Sequence, residues 1–261
     1  MRADPTAAPT RHVVPYASIA PVYDRLIGDA ALEPIWAGFR HSCRRHRVTY
    51  ASVADVACGT GSFLAGLART MPGDATLYGI DGSPAMLSVA RRRLAGTPVR
   101  LLRQDMRALK LPTPVDLITC NFSSLAYLRK IKELQATLVA FYQNLCFNGV
   151  LIFDTMIGEN AAPSGGAFRQ IIALPDFRAQ WDARPSADNR GSVVVMNSCV
   201  QHTRMGAVCS HERHVQRWWS RSLLDRLLGR AGLRVVGAHR LGDQRPAGPT
   251  DRWVQFVARR R

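Results

Sequence analysis

Apolar positions along the chain fall into short, nearly unbroken runs at 51–57, 75–80, 98–103, 115–121 and 149–155. Runs of this length predict strands buried on both faces of a sheet. Between them, 62–70, 84–95 and 130–146 predict helices. In the last of these Leu134, Leu138, Phe141 and Leu145 form one apolar stripe at helical spacing. Such alternation argues for an α/β fold, a doubly wound parallel sheet with helices on both faces. Further on, Leu223, Leu224, Leu227 and Leu228 precede Ala231-Gly232, a helix with a glycine stop. Residues 233–238 and 253–258 read as the final strands. Residues 16–47 read as helical with a break near Gly28-Asp29, and 1–14, rich in Ala, Pro and Thr, read as a disordered tail.

The alternation fails between 158 and 217. Residues 161–167 look like loop, while 192–202 and 208–218 read as two strands joined by a turn at 203–206. The expected organisation is a tail at 1–14 and one domain at 15–261. An antiparallel hairpin insertion at 158–217 interrupts that domain.

The densest local signal is Val53-Ala54-Asp55-Val56-Ala57-Cys58-Gly59-Thr60-Gly61-Ser62-Phe63, a strand running through a glycine turn into a helix. Gly59 and Gly61 remove Cβ atoms where the backbone turns and a ligand approaches. A second apolar run, Tyr78-Gly79-Ile80-Asp81, ends in a carboxylate. A spacing of about 20 residues from glycine turn to acid suits a ribose hydroxyl contact. The third glycine of a dinucleotide site is missing, with Leu64 in that stretch. Asp55, just before the turn, would repel a pyrophosphate and attract an ammonium group. The cofactor these features describe has adenosine and a cationic tail, as S-adenosylmethionine does.

Asp55-Val56-Ala57-Cys58-Gly59-Thr60-Gly61 resembles the first motif of the class I S-adenosylmethionine-dependent methyltransferases. Gly79-Ile80-Asp81-Gly82-Ser83-Pro84-Ala85-Met86 is similar to their second motif, which implies Asp81 on the ribose and Met86 beside the adenine. Gln104-Asp105-Met106 resembles the stretch after the third strand and implies Asp105 at the adenine amino group. The segment 115–122, ending in Asn121-Phe122, and the segment 148–154 resemble the fourth and fifth strands. Asn148-Gly149-Val150 departs from the family's Pro-Gly-Gly. The resemblance covers roughly residues 50–155 and implies a Rossmann-like, seven-stranded sheet closed by one antiparallel strand. It also implies cofactor contacts from Ala57, Gly59, Gly61 and Gly82. Tyr16-Ala17-Ser18-Ile19-Ala20-Pro21-Val22-Tyr23-Asp24 resembles a segment that closes over the cofactor, with Tyr16 and Tyr23 in contact. Small-molecule members often carry strands where 158–217 lies, which implies a cap over the substrate pocket.

Methyl transfer is an in-line displacement, and alignment of the partners can supply about 7–11 kcal/mol. A protonated amine or a hydroxyl also needs a base. His202, His211 and His214 on the hairpin are candidates, with His211 and His214 favoured and Tyr127 beside them. Each histidine has an alternative as a solvated strand residue, Tyr127 as rim packing, and Asp154 as either pocket lining or a strand-end cap.

The formal charge of +16 comes almost wholly from arginine, since lysine occurs only at Lys110, Lys130 and Lys132. The arginines are dispersed, with clusters at 44–47, 91–93 and 259–261, and no aromatic-rich module accompanies them. That distribution speaks against nucleic acid as a partner. Cys43, Cys58, Cys120, Cys146, Cys199 and Cys209 lack metal-ligand spacing and suggest free thiols in a reducing cytoplasm. No metal site, no iron–sulfur triplet and no membrane span is expected. The expected activity is methylation of a nitrogen or oxygen of a small molecule, in specialised metabolism, by a monomer or homodimer. An RNA or protein methyltransferase, or a non-catalytic cofactor-binding protein, are the alternatives.

Overall fold

A computed structural model describes residues 10–27, 29–158, 168–174, 177–185, 193–202 and 209–261. The apolar runs form the expected sheet. Strands β2 (Ser52–Val56), β3 (Thr76–Asp81), β4 (Val99–Arg103), β5 (Val115–Cys120), β6 (Leu145–Met156), β11 (Leu233–Arg240) and β12 (Trp253–Arg260) pair in the order β11-β12-β6-β5-β2-β3-β4. Pairings among β2 to β6 are parallel, whereas β12 runs antiparallel to both β6 and β11. The order reverses direction between β2 and β5, and in an open α/β sheet a ligand sits beyond the carboxyl ends at such a switch.

Helices cover both faces: α2 (Asp29–Arg45), α3 (Ser62–Thr70), α4 (Pro84–Arg93), α5 (Ile131–Asn144) and α6 (Arg221–Arg230). One core cluster holds the α5 stripe Leu134, Leu138 and Phe141 with Leu224, Leu227 and Leu228 of α6. A second packs Ile35 and Phe39 of α2 and Leu64 and Leu67 of α3 against Val53, Leu77 and Leu117 of the sheet. Burial of each such side chain stabilises by about 1.5–3 kcal/mol. Asn148, within β6 just before its buried part, has φ +62°, a left-handed conformation that asparagine tolerates.

The N-terminal region is less helical than its composition suggests. Only the short α1 (Tyr23–Ile27) and α2 are α-helical, and turns and a 3-10 segment at Ala20–Val22 precede them. Of the expected disordered tail at 1–14, residues 1–9 lie outside the described residues, whereas Thr10–Val13 form a strand, β1. Strand pairing supplies the backbone partners that tail composition cannot foretell.

The expected hairpin is present as β9 (Val193–His202) and β10 (Cys209–Arg217), paired antiparallel. It is the centre of a larger sheet. β7 (Phe168–Leu174) and β8 (Phe177–Pro185) extend it on one side, and β1 pairs parallel to β10 on the other, giving the order β1-β10-β9-β8-β7. The expected loop at 161–167 and the turn at 203–206 lie outside the described residues.

Candidate active site

The carboxyl ends of β2, β3 and β5 open into a cavity of about 1030 Å³. The turn after β2 is built from left-handed residues: Ala57 at φ +59°, Gly59 at +56° and Gly61 at +77°. A Cβ added at Gly59 would meet nothing within 4 Å, so this glycine serves the turn and leaves open space above it. Gly61 differs. Its added Cβ would stand 2.9 Å from Leu94 Cδ1, and it does not line the cavity, so it serves helix packing instead of ligand contact. Leu64 packs where a Cβ on Gly79 would fall, 2.8 Å away, which fills the space a third glycine would leave.

Asp81 stands at the end of β3 and braces the turn. Its Oδ2 accepts the Gly59 amide at 2.9 Å and its Oδ1 the Ser83 amide at 2.7 Å. Burial raises its carboxyl above the usual range against those hydrogen bonds. Asp55 is buried, accepts the Thr119 hydroxyl at 2.7 Å, and is pushed up by burial to about 7. A carboxylate this reluctant to ionise gains most from a cation placed beside it.

Other expected residues divide. Ala57, Gly82, Met86, Met106, Asn121 and Phe122 line the cavity with Asp55, Gly59 and Asp81. Gln104 and Asp105 also line it, but their polar groups are engaged. The Gln104 amide bonds the Lys110 backbone at both ends, and both Asp105 oxygens accept from Arg107. Asp154 is fully buried and lies outside the lining. It accepts the Phe122 and Ser123 amides and the Trp253 indole N–H, and burial pushes it up to about 6. Phe122 and Ser123 hold φ +56° and +53°, so Asp154 fixes a strained turn at the cavity edge. It is neither of the two expected things: it braces a neighbouring strand's turn.

The N-terminal segment covers the cavity. Tyr16, Tyr23 and Asp24 line it. Asp24 accepts from the Thr60 and Ser62 hydroxyls at 2.7 and 2.9 Å and pairs with Arg93 at 2.6 Å. Burial works against its charge, yet bonds from Arg93, Thr60 and Ser62 hold its carboxyl below the usual range. Arg93 also donates to the Thr60 carbonyl, so the last arginine of α4 ties the segment to the glycine turn.

Tyr16 reaches the second sheet. Its hydroxyl lies 2.6 Å from that of Tyr127, which lies 2.9 Å from His214 Nδ1. Burial raises the Tyr16 phenol and pushes Tyr127 up to about 12, so both keep their protons. His214 is buried behind Tyr127 and does not itself line the cavity. His211 does not join this group. An odd separation along a strand places His211 and His214 on opposite faces of β10, and the His211 ring lies near His12 instead. The expected pair of histidines is therefore a single one. Nothing is described of the His202 side chain.

Sequence reasoning also missed Thr119 and Glu212. Glu212 bonds His214 Nε2 at 3.0 Å. Period-two reading of β10 would have found it, because residues two apart in a strand share a face.

These residues fit S-adenosylmethionine. The cradle over Gly59 is open, the Asn121 side-chain nitrogen is buried without a partner, and the buried Asp55 and half-buried Asp81 carboxylates are of a kind that accepts from ammonium and hydroxyl groups. Comparison with known proteins agrees. A family model for a methyltransferase domain matches residues 53–149. A dTDP-3-amino-3,6-dideoxy-alpha-D-glucopyranose N,N-dimethyltransferase of Streptomyces fradiae is 29% identical over 80% of this chain and 77% of its own length. A dTDP-3-amino-3,4,6-trideoxy-alpha-D-glucopyranose N,N-dimethyltransferase of Streptomyces venezuelae is 36% identical, over 40% of this chain and 41% of its own. Among solved structures, a sugar N-methyltransferase of Streptoalloteichus sp. is 25% identical with a TM-score of 0.72, covering 92% of this chain and 91% of its own. An S-adenosylmethionine-dependent methyltransferase of Clostridium acetobutylicum shares the fold with a TM-score of 0.79, at 21% identity over 94% of this chain and 98% of its own.

A methyltransferase domain occupies residues 53–149, and the fold around it is that of the class I S-adenosylmethionine-dependent methyltransferases. The relatives that the chain resembles over most of its length are named for methylation of amino sugars, and its cofactor is S-adenosylmethionine. No helix among the described residues is long and apolar enough to cross a membrane, and no group of metal-ligating side chains occurs among them.

Proposed function

We propose that the protein methylates the amine of a nucleotide-linked amino sugar. The observation that carries this reading is the hydrogen-bonded chain Tyr16–Tyr127–His214, which runs from the cavity wall to a buried imidazole and offers an outlet for a proton. Ammonium groups are not nucleophiles, so an amine acceptor must shed a proton first, and a base matched to neutral pH makes that possible. His214, the imidazole at the end of that chain, is its general base. The exposed Arg103 and Arg129 on the cavity rim suit the diphosphate of such an acceptor. The names of the two Streptomyces relatives support the same class.

The cofactor supplies an electrophilic methyl group on a sulfonium. Asp81 would hold the ribose hydroxyls and Asp55 the ammonium end, with Met86 and Met106 against the adenine. Ala57, Gly59 and Gly82 would approach through backbone, and Asn121 Nδ2 and Phe122 would complete the wall. Tyr16 and Tyr23 exclude water from above, and the second sheet caps the acceptor side. Tyr16 and Tyr127 orient the amine by hydrogen bonding. We place the enzyme in the reducing cytoplasm on the strength of the free thiols Cys43, Cys58, Cys120 and Cys146, as a monomer or homodimer without a nucleic-acid partner.

Mass spectrometry of a dTDP-linked amino sugar incubated with protein and S-adenosylmethionine tests the reading. A gain of one or two methyl groups on the amine is expected. Methylation of a hydroxyl with the amine untouched, or none on any aminated nucleotide sugar, would refute it.

A further inference from the structure

Glu212 is a buried acid for which the reaction outlined above has no task. It shares a face of β10 with His214. Its Oε2 accepts from His214 Nε2 at 3.0 Å and from the Tyr16 amide at 2.6 Å. Its Oε1 accepts the Ser18 amide at 2.5 Å, the Ser18 hydroxyl at 2.6 Å and the Ile19 amide at 3.1 Å. Burial alone would raise this carboxyl, but the bonds from His214, Ser18 and Tyr16 outweigh it and hold it below the usual range. Glu212 is therefore ionised, and an ionised carboxylate only accepts.

That single constraint propagates. His214 Nε2 must carry a hydrogen, so the neutral ring offers Nδ1 as an acceptor. Tyr127, 2.9 Å from Nδ1, must donate to it. A phenol has one hydrogen, so Tyr127 meets Tyr16 as an acceptor and Tyr16 donates across their 2.6 Å contact. The remaining lone pairs of the Tyr16 oxygen are left to accept from the cavity.

The same carboxylate also fixes the cover. Tyr16 has φ +67°, unusual for a bulky residue and sustained only where its surroundings hold it. Glu212 bonds that residue's own amide and the two next amides available to it, at Ser18 and Ile19.

Resting on the amine reading above, we propose that Glu212 is a positioning residue with two linked tasks. It sets the direction of the Tyr16–Tyr127–His214 chain, and it latches the N-terminal segment, so that the proton outlet is complete only when the cover is closed. In operation the amine N–H bond breaks and Tyr16 takes that proton. Tyr16 gives its own to Tyr127, Tyr127 gives its own to His214 Nδ1, and Glu212 stabilises the resulting imidazolium. No electrons are exchanged, and the proton passes to water when the segment lifts.

Nitrogen NMR of the full-length protein, labelled at histidine and bound to S-adenosylhomocysteine, reads the tautomer of His214 without needing turnover. The expected result is hydrogen on Nε2 and none on Nδ1. In Glu212→Gln the Nε2–H form should lose its dominance, and amide exchange at Tyr16, Ser18 and Ile19 should rise tenfold or more. Single-turnover methyl transfer at saturating cofactor should fall by about 10²-fold, the low end for loss of a general base. Hydrogen on Nδ1 in the wild type overturns the inference. So does a Glu212→Gln protein with unchanged tautomer and unchanged exchange. The expected tautomer and latch in a protein that methylates no amine would uphold the role of Glu212 and refute the amine reading alone.

Discussion

Replacing Asp55 by asparagine should stabilise the cofactor-free protein at alkaline pH while weakening cofactor binding. Burial pushes the Asp55 carboxyl up to about 7, with only the Thr119 hydroxyl opposing it. An unfolded chain ionises the same group near 4. Between those values the folded state holds a proton that the unfolded state lacks, so stability falls as pH rises from about 4 to about 7. At 1.36 kcal/mol per tenfold change, the full loss is about 4 kcal/mol. The cavity admits water beside the carboxylate, so about 2–4 kcal/mol is the expected loss. Asparagine keeps an oxygen for Thr119 and carries no charge. Urea unfolding of both proteins without ligand is the assay. The curves should coincide near pH 3, and Asp55→Asn should be the more stable by about 2–4 kcal/mol at pH 8. Asp154, pushed up to about 6, adds a parallel slope that both proteins share and the comparison cancels. A stability difference independent of pH would refute the reasoning, and so would a variant less stable at pH 8.

Three further outcomes follow from the geometry. Asp81→Ala should weaken S-adenosylhomocysteine binding by about 10²–10⁴-fold in calorimetry, the loss of two charge-assisted bonds of about 1.5–3 kcal/mol each. A loss below threefold would place the ribose elsewhere. His214→Phe should lower turnover by about 10²-fold or more at unchanged S-adenosylhomocysteine affinity, whereas His211→Ala should leave turnover within about twofold. The reverse ranking would show that the wrong face of β10 meets the acceptor. Titration with a structured RNA at physiological salt should show no submicromolar association, despite the charge of +16.

The seven-stranded sheet was legible because its central strands are buried on both faces and appear as nearly unbroken apolar runs. Helix α3 begins and ends where the pattern predicts, at Ser62 and Thr70. Second-sheet strands gave a weaker signal. β7 and β8, Phe-Arg-Gln-Ile-Ile-Ala-Leu and Phe-Arg-Ala-Gln-Trp-Asp-Ala-Arg-Pro, mix charged and apolar residues, and β7 forms an edge of that sheet. β1 was illegible because its pairing partner, β10, lies about 200 residues away in sequence. Most of the residues that line the cavity were visible through motif spacing, yet the bracing roles of Arg93 and Thr119 were not, since their partners Asp24 and Asp55 are distant in sequence. Choosing His211 beside His214 ignored strand parity, which instead joins His214 to Glu212.

The most direct measurement is a crystal structure of the protein with S-adenosylhomocysteine and a dTDP-linked amino sugar. The account predicts the ribose hydroxyls on Asp81, the ammonium end toward Asp55, and the sugar amine within hydrogen-bond reach of the Tyr16 hydroxyl, its lone pair facing the sulfur. A ribose away from Asp81, or an amine turned away from Tyr16 and Tyr127 with another group facing the sulfur, would contradict it.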